Sequence, residues 1–232
     1  MKTQRKLFQI CLLGVALLLP AAARAQLQCT TNNGAITITG YSGNPTVLII
    51  PSITNGYPVT NIGASAFISR STLTSLTIPD SITNIGNSAL QSCSGLTNVT
   101  IGGGVTSIGN LAFVFCTKLA SITISTNINS IGTSAFQSCS SLTSLTIPDS
   151  VTNLGNSAFQ SCSGLTNVTI GNGVVSIGSS VFQSCIELAS ITIGSGVTSI
   201  GYGAFQSCTN LVNITIGSPS INGSWFNPIF PK

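Results

Sequence analysis

Few side chains of this sequence could carry out catalysis. The chain contains no histidine, which removes Ser-His-Asp and Cys-His nucleophiles and the commonest zinc ligand. Asp80 and Asp149 occupy equivalent positions three units apart in a 23-residue repeat, about 14 Å at about 4.8 Å per unit. Carboxylate pairs that hydrolyse sugars lie roughly 5–9.5 Å apart, and Glu187, the third carboxylate, stands alone. We therefore expect no catalytic, cofactor-binding or metal-binding residue, and turn roles for the two aspartates.

The cysteines are the other reactive groups. Besides Cys11 and Cys29, six follow the repeat: Cys93, Cys116, Cys139, Cys162, Cys185 and Cys208. An even number of cysteines in an exported chain is typical of a disulfide framework. Stacked cysteines, with Cα atoms about 5 Å apart, would be within bonding range. Their side chains would run parallel instead of toward each other, however, and small buried thiols pack as hydrophobes. We predict six buried, unpaired thiols.

Uncharged hydroxyls and amides supply the candidate binding surface. In the segment Ser75–Ile78, Leu76 and Ile78 alternate with Ser75 and Thr77, which indicates a short strand with one buried side. The inward positions of successive units are expected in the core: Leu76, Val99, Ile122, Leu145, Val168, Ile191 and Ile214. The outward positions are the predicted partner-binding face: Ser75, Thr77, Asn98, Thr100, Ser121, Thr123, Ser144, Thr146, Asn167, Thr169, Ser190, Thr192, Asn213 and Thr215.

The repeat that positions these groups has no insertion between Val59 and Ile216. Its columns include an invariant leucine from Leu73 to Leu211 and a glycine from Gly63 to Gly201. A proline or glycine usually ends the strand, a second short apolar element follows, and the segment 88–92 has room for one helical turn. A single unit cannot bury its own apolar side, so the units must stack as a solenoid.

The unit L-T-S-L-T-I-P-D-S-I-T-N-I-G-N-S-A-L-Q-S-C, from Leu73 to Cys93, resembles the BspA-type (Treponema-type) leucine-rich repeat. The resemblance covers roughly residues 46–217 and implies a right-handed leucine-rich-repeat coil. Its short parallel strands would stack in a ladder, giving mostly β and loop with short helical turns. The asparagine that the general leucine-rich pattern places ninth survives only as Asn127. A block of three units looks duplicated, because residues 73–95 and 142–164 are identical at 20 of 23 positions.

The first 25 residues have the order of a secretory signal peptide. Basic residues precede an apolar run from Leu7 to Leu19, and Ala23-Arg24-Ala25 follows, so we expect cleavage before Gln26. An uncleaved anchor is the alternative, although the run is too short to cross a bilayer. We expect an N-terminal cap and enlarged first unit over 26–58, the solenoid over 59–217, and a tail or truncated end over 218–232, with Trp225, Phe226 and Phe230.

Charge excludes nucleic acid as a partner. Of seven basic residues, four lie in the first 25, which leaves three cations against three carboxylates. Three scattered cations cannot neutralise a run of phosphates. Apolar runs after Leu19 are short, so we expect no membrane span in the mature chain.

The sequence therefore favours a secreted or cell-surface scaffold that binds a protein. For BspA-type proteins, the resemblance implies adhesion to host or matrix proteins, and an envelope protein is another possible partner. Two alternatives stay open. One is a passive structural protein of the envelope. The other is an ice- or lattice-binding surface, because the outward threonines form a regular column. Oligomeric state does not follow from the sequence.

Overall fold

The repeats stack into a β-solenoid of about eight turns. The computed structural model describes residues 9–11 and 26–217, and no helix occurs in this part of the chain. Most of the predicted signal segment and all of the predicted tail lie outside the described residues. The fold class agrees with the sequence prediction.

Three sheets run along the solenoid. The eleven-stranded sheet contains β1 (Gln9–Cys11), β2 (Gln26–Asn32), β3 (Ala35–Ser42), β5 (Ile53–Thr54), β6 (Tyr57–Ile62), β8 (Asn84–Ile85), β10 (Ser107–Ile108), β11 (Ser130–Ile131), β13 (Asn153–Leu154), β15 (Ser176–Ile177) and β17 (Ser199–Ile200). The three-stranded sheet contains β4 (Val47–Ile49), β7 (Ser75–Ile78) and β9 (Asn98–Ile101). The four-stranded sheet contains β12 (Ser144–Ile147), β14 (Asn167–Ile170), β16 (Ser190–Ile193) and β18 (Asn213–Ile216).

Strand pairing follows the repeat except at the N-terminal end. Neighbouring repeats pair in parallel with a shift of 23 residues, as in Ser144↔Asn167 and Ile147↔Ile170. Strands β2 and β3 form an antiparallel hairpin, and β3 joins β6 in parallel. Strand β1 pairs antiparallel with β2. The hairpin buries Leu27, Ile36 and Ile38, so it adds to the N-terminal end of the core.

Stacked columns of identical side chains form the core. Phe113, Phe136, Phe159, Phe182 and Phe205 stack in order, with ring centroids 5.0–5.7 Å apart and nearly parallel planes. This offset stacking is a favourable arrangement for aromatic rings. Each repeat also places a leucine, an alanine or valine and a cysteine in the interior. The core is continuous through every repeat from Phe113 to Phe205.

The predicted helical turn over 88–92 is replaced by consecutive tight turns. Amides alternate in direction: Ala89 N bonds within the repeat to Gly86 O (3.2 Å), whereas Ser88 N and Leu90 N bond to carbonyls of the next repeat (2.8 and 2.7 Å). Ser88 and Ser92 have left-handed backbone, with φ of 55° and 59°. In a helix, all of these amides would bond to carbonyls of the same segment. Here every second amide bonds to the next repeat instead.

A strand predicted over Ser121–Ile124 does not form, which is a correction to the sequence analysis. These residues pair with neither β9 nor β12, so the strand-lined face divides into two sheets. The residue that follows each strand explains the division. At Gly102, an added Cβ would lie 2.4 Å from the carbonyl carbon of Pro79 in the preceding repeat. The equivalent position of the unpaired repeat is Ser125.

Strand pairing along this face correlates with the type of residue that follows each strand. Four residues pair wherever the later repeat carries glycine, at Gly102, Gly171, Gly194 and Gly217. Only three pair where it carries Pro79. No strand pairs form where it carries Ser125 or Pro148. A Cβ would crowd the preceding backbone, and proline also lacks the N–H that Gly171 donates to Ile147 O (2.8 Å).

Candidate interaction surface

The outward residues of the two smaller sheets form the candidate surface. Twelve of the fourteen predicted binding residues lie on strands β7, β9, β12, β14, β16 and β18. None of the fourteen is buried; Ser75, Thr77 and Ser190 are half-buried and the others are exposed. Parallel pairing sets Thr146, Thr169, Thr192 and Thr215 directly beside one another. The structure thus places four threonines in one continuous row.

The threonine hydroxyls of this row are available to a partner. No hydroxyl of the outward threonines from Thr77 to Thr215 bonds to another residue in the described part of the chain. The neighbouring column is partly engaged, because Ser190 Oγ donates to Asn167 Oδ1 (2.5 Å) and Asn167 Nδ2 donates to Thr166 Oγ1 (3.0 Å). The surface therefore offers donors and acceptors without a net charge.

Ser121 and Thr123 lie in the segment 121–124, which forms no strand, so they are separate from the two smaller sheets. Asn127 spans this gap by donating from its side-chain amide to Gly103 O (2.6 Å). Four of the seven inward residues are buried in the core, and Val99, Ile122 and Ile214 are half-buried and pack against it. Ile122 lies in the unpaired segment, Val99 on the strand beside it, and Ile214 on the last described strand.

A shallow groove follows the carboxyl ends of β12, β14, β16 and β18. Thr146, Thr169 and Thr192 line one side, and the glycines at 171 and 194 open its floor. Asp149 is its charged residue. The groove belongs to the four-stranded sheet and is lined by residues of all four of its repeats.

The carboxylates have structural partners. Asp80 Oδ1 accepts from Gly103 N (2.7 Å), and Asp149 Oδ1 accepts from Asn172 N (2.6 Å). Glu187 Oε2 accepts from the Asn210 side chain at 3.1 Å. The first two bonds agree with the predicted turn roles, since each aspartate caps an amide of the next repeat. Among residues 9–11 and 26–217, no three potential metal ligands cluster together.

The six repeat cysteines are buried and unpaired, as predicted. Each thiol donates to a backbone carbonyl about one repeat earlier, as Cys139 does to Phe113 O (3.2 Å). Burial raises the pKa of Cys93 and Cys208 to about 11. Burial, and to a smaller extent the neighbouring Cys116, raise the pKa of Cys139 well above its usual value. Cys29, in contrast, is disulfide-bonded in the chain that still carries residues 1–25, which sequence spacing did not indicate.

Sequence reasoning missed two exposed apolar residues at the N-terminal end of this face. Val47 and Ile49 take the outward positions of β4 and pair with Ser75 and Thr77 of β7. Each is more than half exposed, as is Ile53 of the adjacent hairpin. The signal was present, because the alignment of Leu48 with Leu76 already makes Val47 and Ile49 outward residues.

The BspA-type leucine-rich repeat region matches residues 47–166 and 132–228 in six copies. The leucine-rich repeat protein of T. pallidum superposes with a TM-score of 0.76 at 29% identity, covering 84% of this chain and 90% of that one. A leucine-rich cell surface protein of Faecalibacterium prausnitzii gives 0.76 at 35% identity, over 87% of this chain and 55% of that one. A leucine-rich repeat protein of Bacteroides ovatus gives 0.74 at 31% identity, over 80% and 50%.

The match to these solved structures differs in extent. The chain spans nearly all of the T. pallidum protein but only about half of the F. prausnitzii and B. ovatus proteins. A comparison with curated proteins finds no match. None of the described residues forms a helix with the length and apolar content needed to cross a bilayer.

Proposed function

Because the chain belongs to the BspA-type leucine-rich repeat family, whose repeats typically serve as protein-interaction scaffolds, we propose that it is a non-enzymatic scaffold that binds a protein of a host, a matrix or the cell envelope. The row of unbonded threonine hydroxyls on β12, β14, β16 and β18 is the observation that carries the proposal. Short, neutral and repeated groups suit many weak hydrogen bonds better than one dominant contact. Affinity should therefore change little with salt.

The test is a pair of charge variants that differ only in the face they alter. T146K/T192K places two lysines on the four-stranded sheet, and S130K/S199K places two on exposed positions of β11 and β17. A protein captured from host or envelope fractions by residues 26–232 supplies the probe. Weaker binding by T146K/T192K alone supports the proposal. Equal binding by both variants, or no captured protein, contradicts it, and the second outcome favours a passive envelope role.

We propose that the protein acts in the extracellular space or on the cell surface after loss of residues 1–25. The basic, apolar and small-residue order of that segment supports export, and the F. prausnitzii neighbour is described as a cell surface protein. N-terminal sequencing of the exported chain should begin at or near Gln26. A start at Met1 would contradict cleavage.

Lattice binding is the second candidate because the threonine row has a regular spacing. The interruption at Ser121–Ile124 limits the paired row to four strands. A thermal-hysteresis measurement on residues 26–232 distinguishes it from protein binding, since only a lattice-binding surface depresses the freezing point beyond the colligative effect.

A further inference from the structure

Strand β4 is an open sheet edge. It pairs with β7, and no other strand in the described residues occupies its second side. Thr46 O accepts from Thr74 N (2.7 Å), and Ile50 N donates to Thr77 O (3.0 Å), so these groups face β7. Because backbone groups alternate along a strand, the N–H and C=O groups of Val47 and Ile49 point to the open side.

The same two residues carry exposed apolar side chains. Val47 and Ile49 are 57% and 59% exposed, whereas the equivalent outward positions of later repeats carry serine, asparagine or threonine. On the hairpin of β5 and β6, which follows β4 in the chain, Ile53 and Tyr57 are also apolar and exposed, at 64% and 46%. Natural proteins usually blunt an open edge with charge or cover it, and an apolar patch beside it is typical of an interaction site.

The surroundings specify an uncharged partner. Residues 26–69 contain no Asp, Glu, Lys or Arg. The nearest cation in sequence, Arg70, lies over the Tyr41 ring at 4.6 Å and donates to Tyr41 O at 3.0 Å. A charged segment would lose hydration against this patch without gaining an ion pair. Pro45 and Pro51 bracket the edge, so a short strand fits it.

We propose that the open edge of β4 binds an extended, uncharged segment of a partner protein as an added strand. The segment bonds to the backbone of Val47 and Ile49, while its apolar side chains contact those of the same two residues. Strand addition of this kind takes affinity from main-chain bonds and specificity from alternate side chains. The inference rests on the proposed binding function and names the chemistry of the partner at one end of the same face.

The experiment pans a displayed library of random decapeptides on residues 26–232. Enriched peptides are expected to be uncharged and alternately apolar, and to lose affinity when amides on one edge are N-methylated. V47T/I49T, which introduces polar β-branched residues of the type that later strands carry, should weaken them about tenfold or more. V175T/V212T is the matched control, because Val175 and Val212 are exposed apolar residues outside the patch; it should bind as the unaltered chain does.

Three outcomes overturn the proposal: no enrichment, enriched peptides that bind V47T/I49T equally well, or enriched peptides rich in charge. Sedimentation of the unliganded chain addresses a different occupant. A dimer that V47T/I49T abolishes would assign the edge to a second copy of the chain and overturn the partner-peptide proposal. Neither result depends on the T146K/T192K variant, so failure of the edge proposal and failure of the proposed function remain distinguishable.

Discussion

Two segments of this chain have the same sequence and different structures. L-A-S-I-T-I occurs at 119–124, where no strand forms, and at 188–193, where it contains β16. The segment at 188–193 is followed by Gly194, and Gly217 of the next repeat donates to Ile193 O at 2.8 Å. The segment at 119–124 is followed by Ser125, and the next repeat has Pro148 at that position. Contacts between repeats thus determine whether these six residues become a strand.

The phenylalanine and cysteine columns of the interior are nevertheless the same in the two repeats. Phe136, in the repeat whose residues 121–124 form no strand, stacks on Phe113 at 5.0 Å and on Phe159 at 5.2 Å. Cys139 of the same repeat is fully buried. The stacked side chains of the interior therefore hold this repeat to its neighbours, although residues 121–124 form no strand.

If the interior is continuous, alkaline pH should lower the free energy of unfolding more than any single substitution does. The buried thiols stay protonated in the folded chain, whereas the unfolded chain ionises them above about pH 8.5–9. The protonated thiols stabilise the folded chain fully below that pH. This contribution is lost as the pH rises toward the folded-state pKa, which is about 11 for Cys93 and Cys208. The slope approaches roughly 1.4 kcal/mol per thiol per pH unit, or roughly 8 for six thiols. Urea unfolding at pH 7.5, 9 and 10 measures it.

Cysteine variants of the two repeats refine this prediction. C139A and C208A should each reduce the slope between pH 9 and 10 by one thiol's share. If C139A leaves the slope unchanged, the repeat whose residues 121–124 form no strand does not shield its thiol from solvent.

Removal of a stacked ring should have the next largest effect. Phe136→Ala and Phe205→Ala should each lower the free energy of unfolding by about 3–5 kcal/mol, because both rings are buried and each leaves a cavity. Denaturant unfolding gives both values. A cost below about 1 kcal/mol for Phe136→Ala would show that the missing strand loosens the core as well.

The sequence was sufficient for features that depend on periodicity. Columns such as Leu73–Leu211 predicted the buried positions, and alternation predicted which side of Ser75–Ile78 faces out. Three features were not predicted: the unpaired residues 121–124 and the left-handed serines such as Ser88, both of which depend on contacts between repeats, and the disulfide of Cys29 in the N-terminal hairpin. Of the candidate surface, the polar columns were predicted, and their division into two sheets was not.

Gly194→Ser should weaken the pairing of β16, so that residues 190–193 come to resemble residues 121–124, which form no strand. A Cβ at this position would lie 2.4 Å from Gly171 O, so the backbone must move and the β14–β16 ladder must weaken. We expect a loss of about 1–3 kcal/mol and faster amide exchange along β16. Gly103→Ser is the control, because a Cβ there meets only Asp80 Oδ1 at 3.8 Å; its stability should change by less than about 0.5 kcal/mol. Equal effects of the two variants would contradict the role of the glycine column.

Ser125→Gly should allow residues 121–124 to pair as a strand. Its effect on the free energy of unfolding should be the smallest of those predicted here. The change removes a Cβ that the glycines of this column lack, and it also removes Ser125 Oγ, which is buried without a partner. A buried unsatisfied hydroxyl costs about 1–3 kcal/mol, and the flexibility of glycine offsets about 0.5–1 kcal/mol of the gain. Ser125→Ala separates the two causes, because it removes the hydroxyl and keeps the Cβ. Both variants should therefore stabilise the fold, but only Ser125→Gly should slow amide exchange at Thr123 and Ile124. Slower exchange in both would assign the missing strand to the hydroxyl, and slower exchange in neither would assign it to Pro148, whose missing N–H leaves the other side of the segment unpaired.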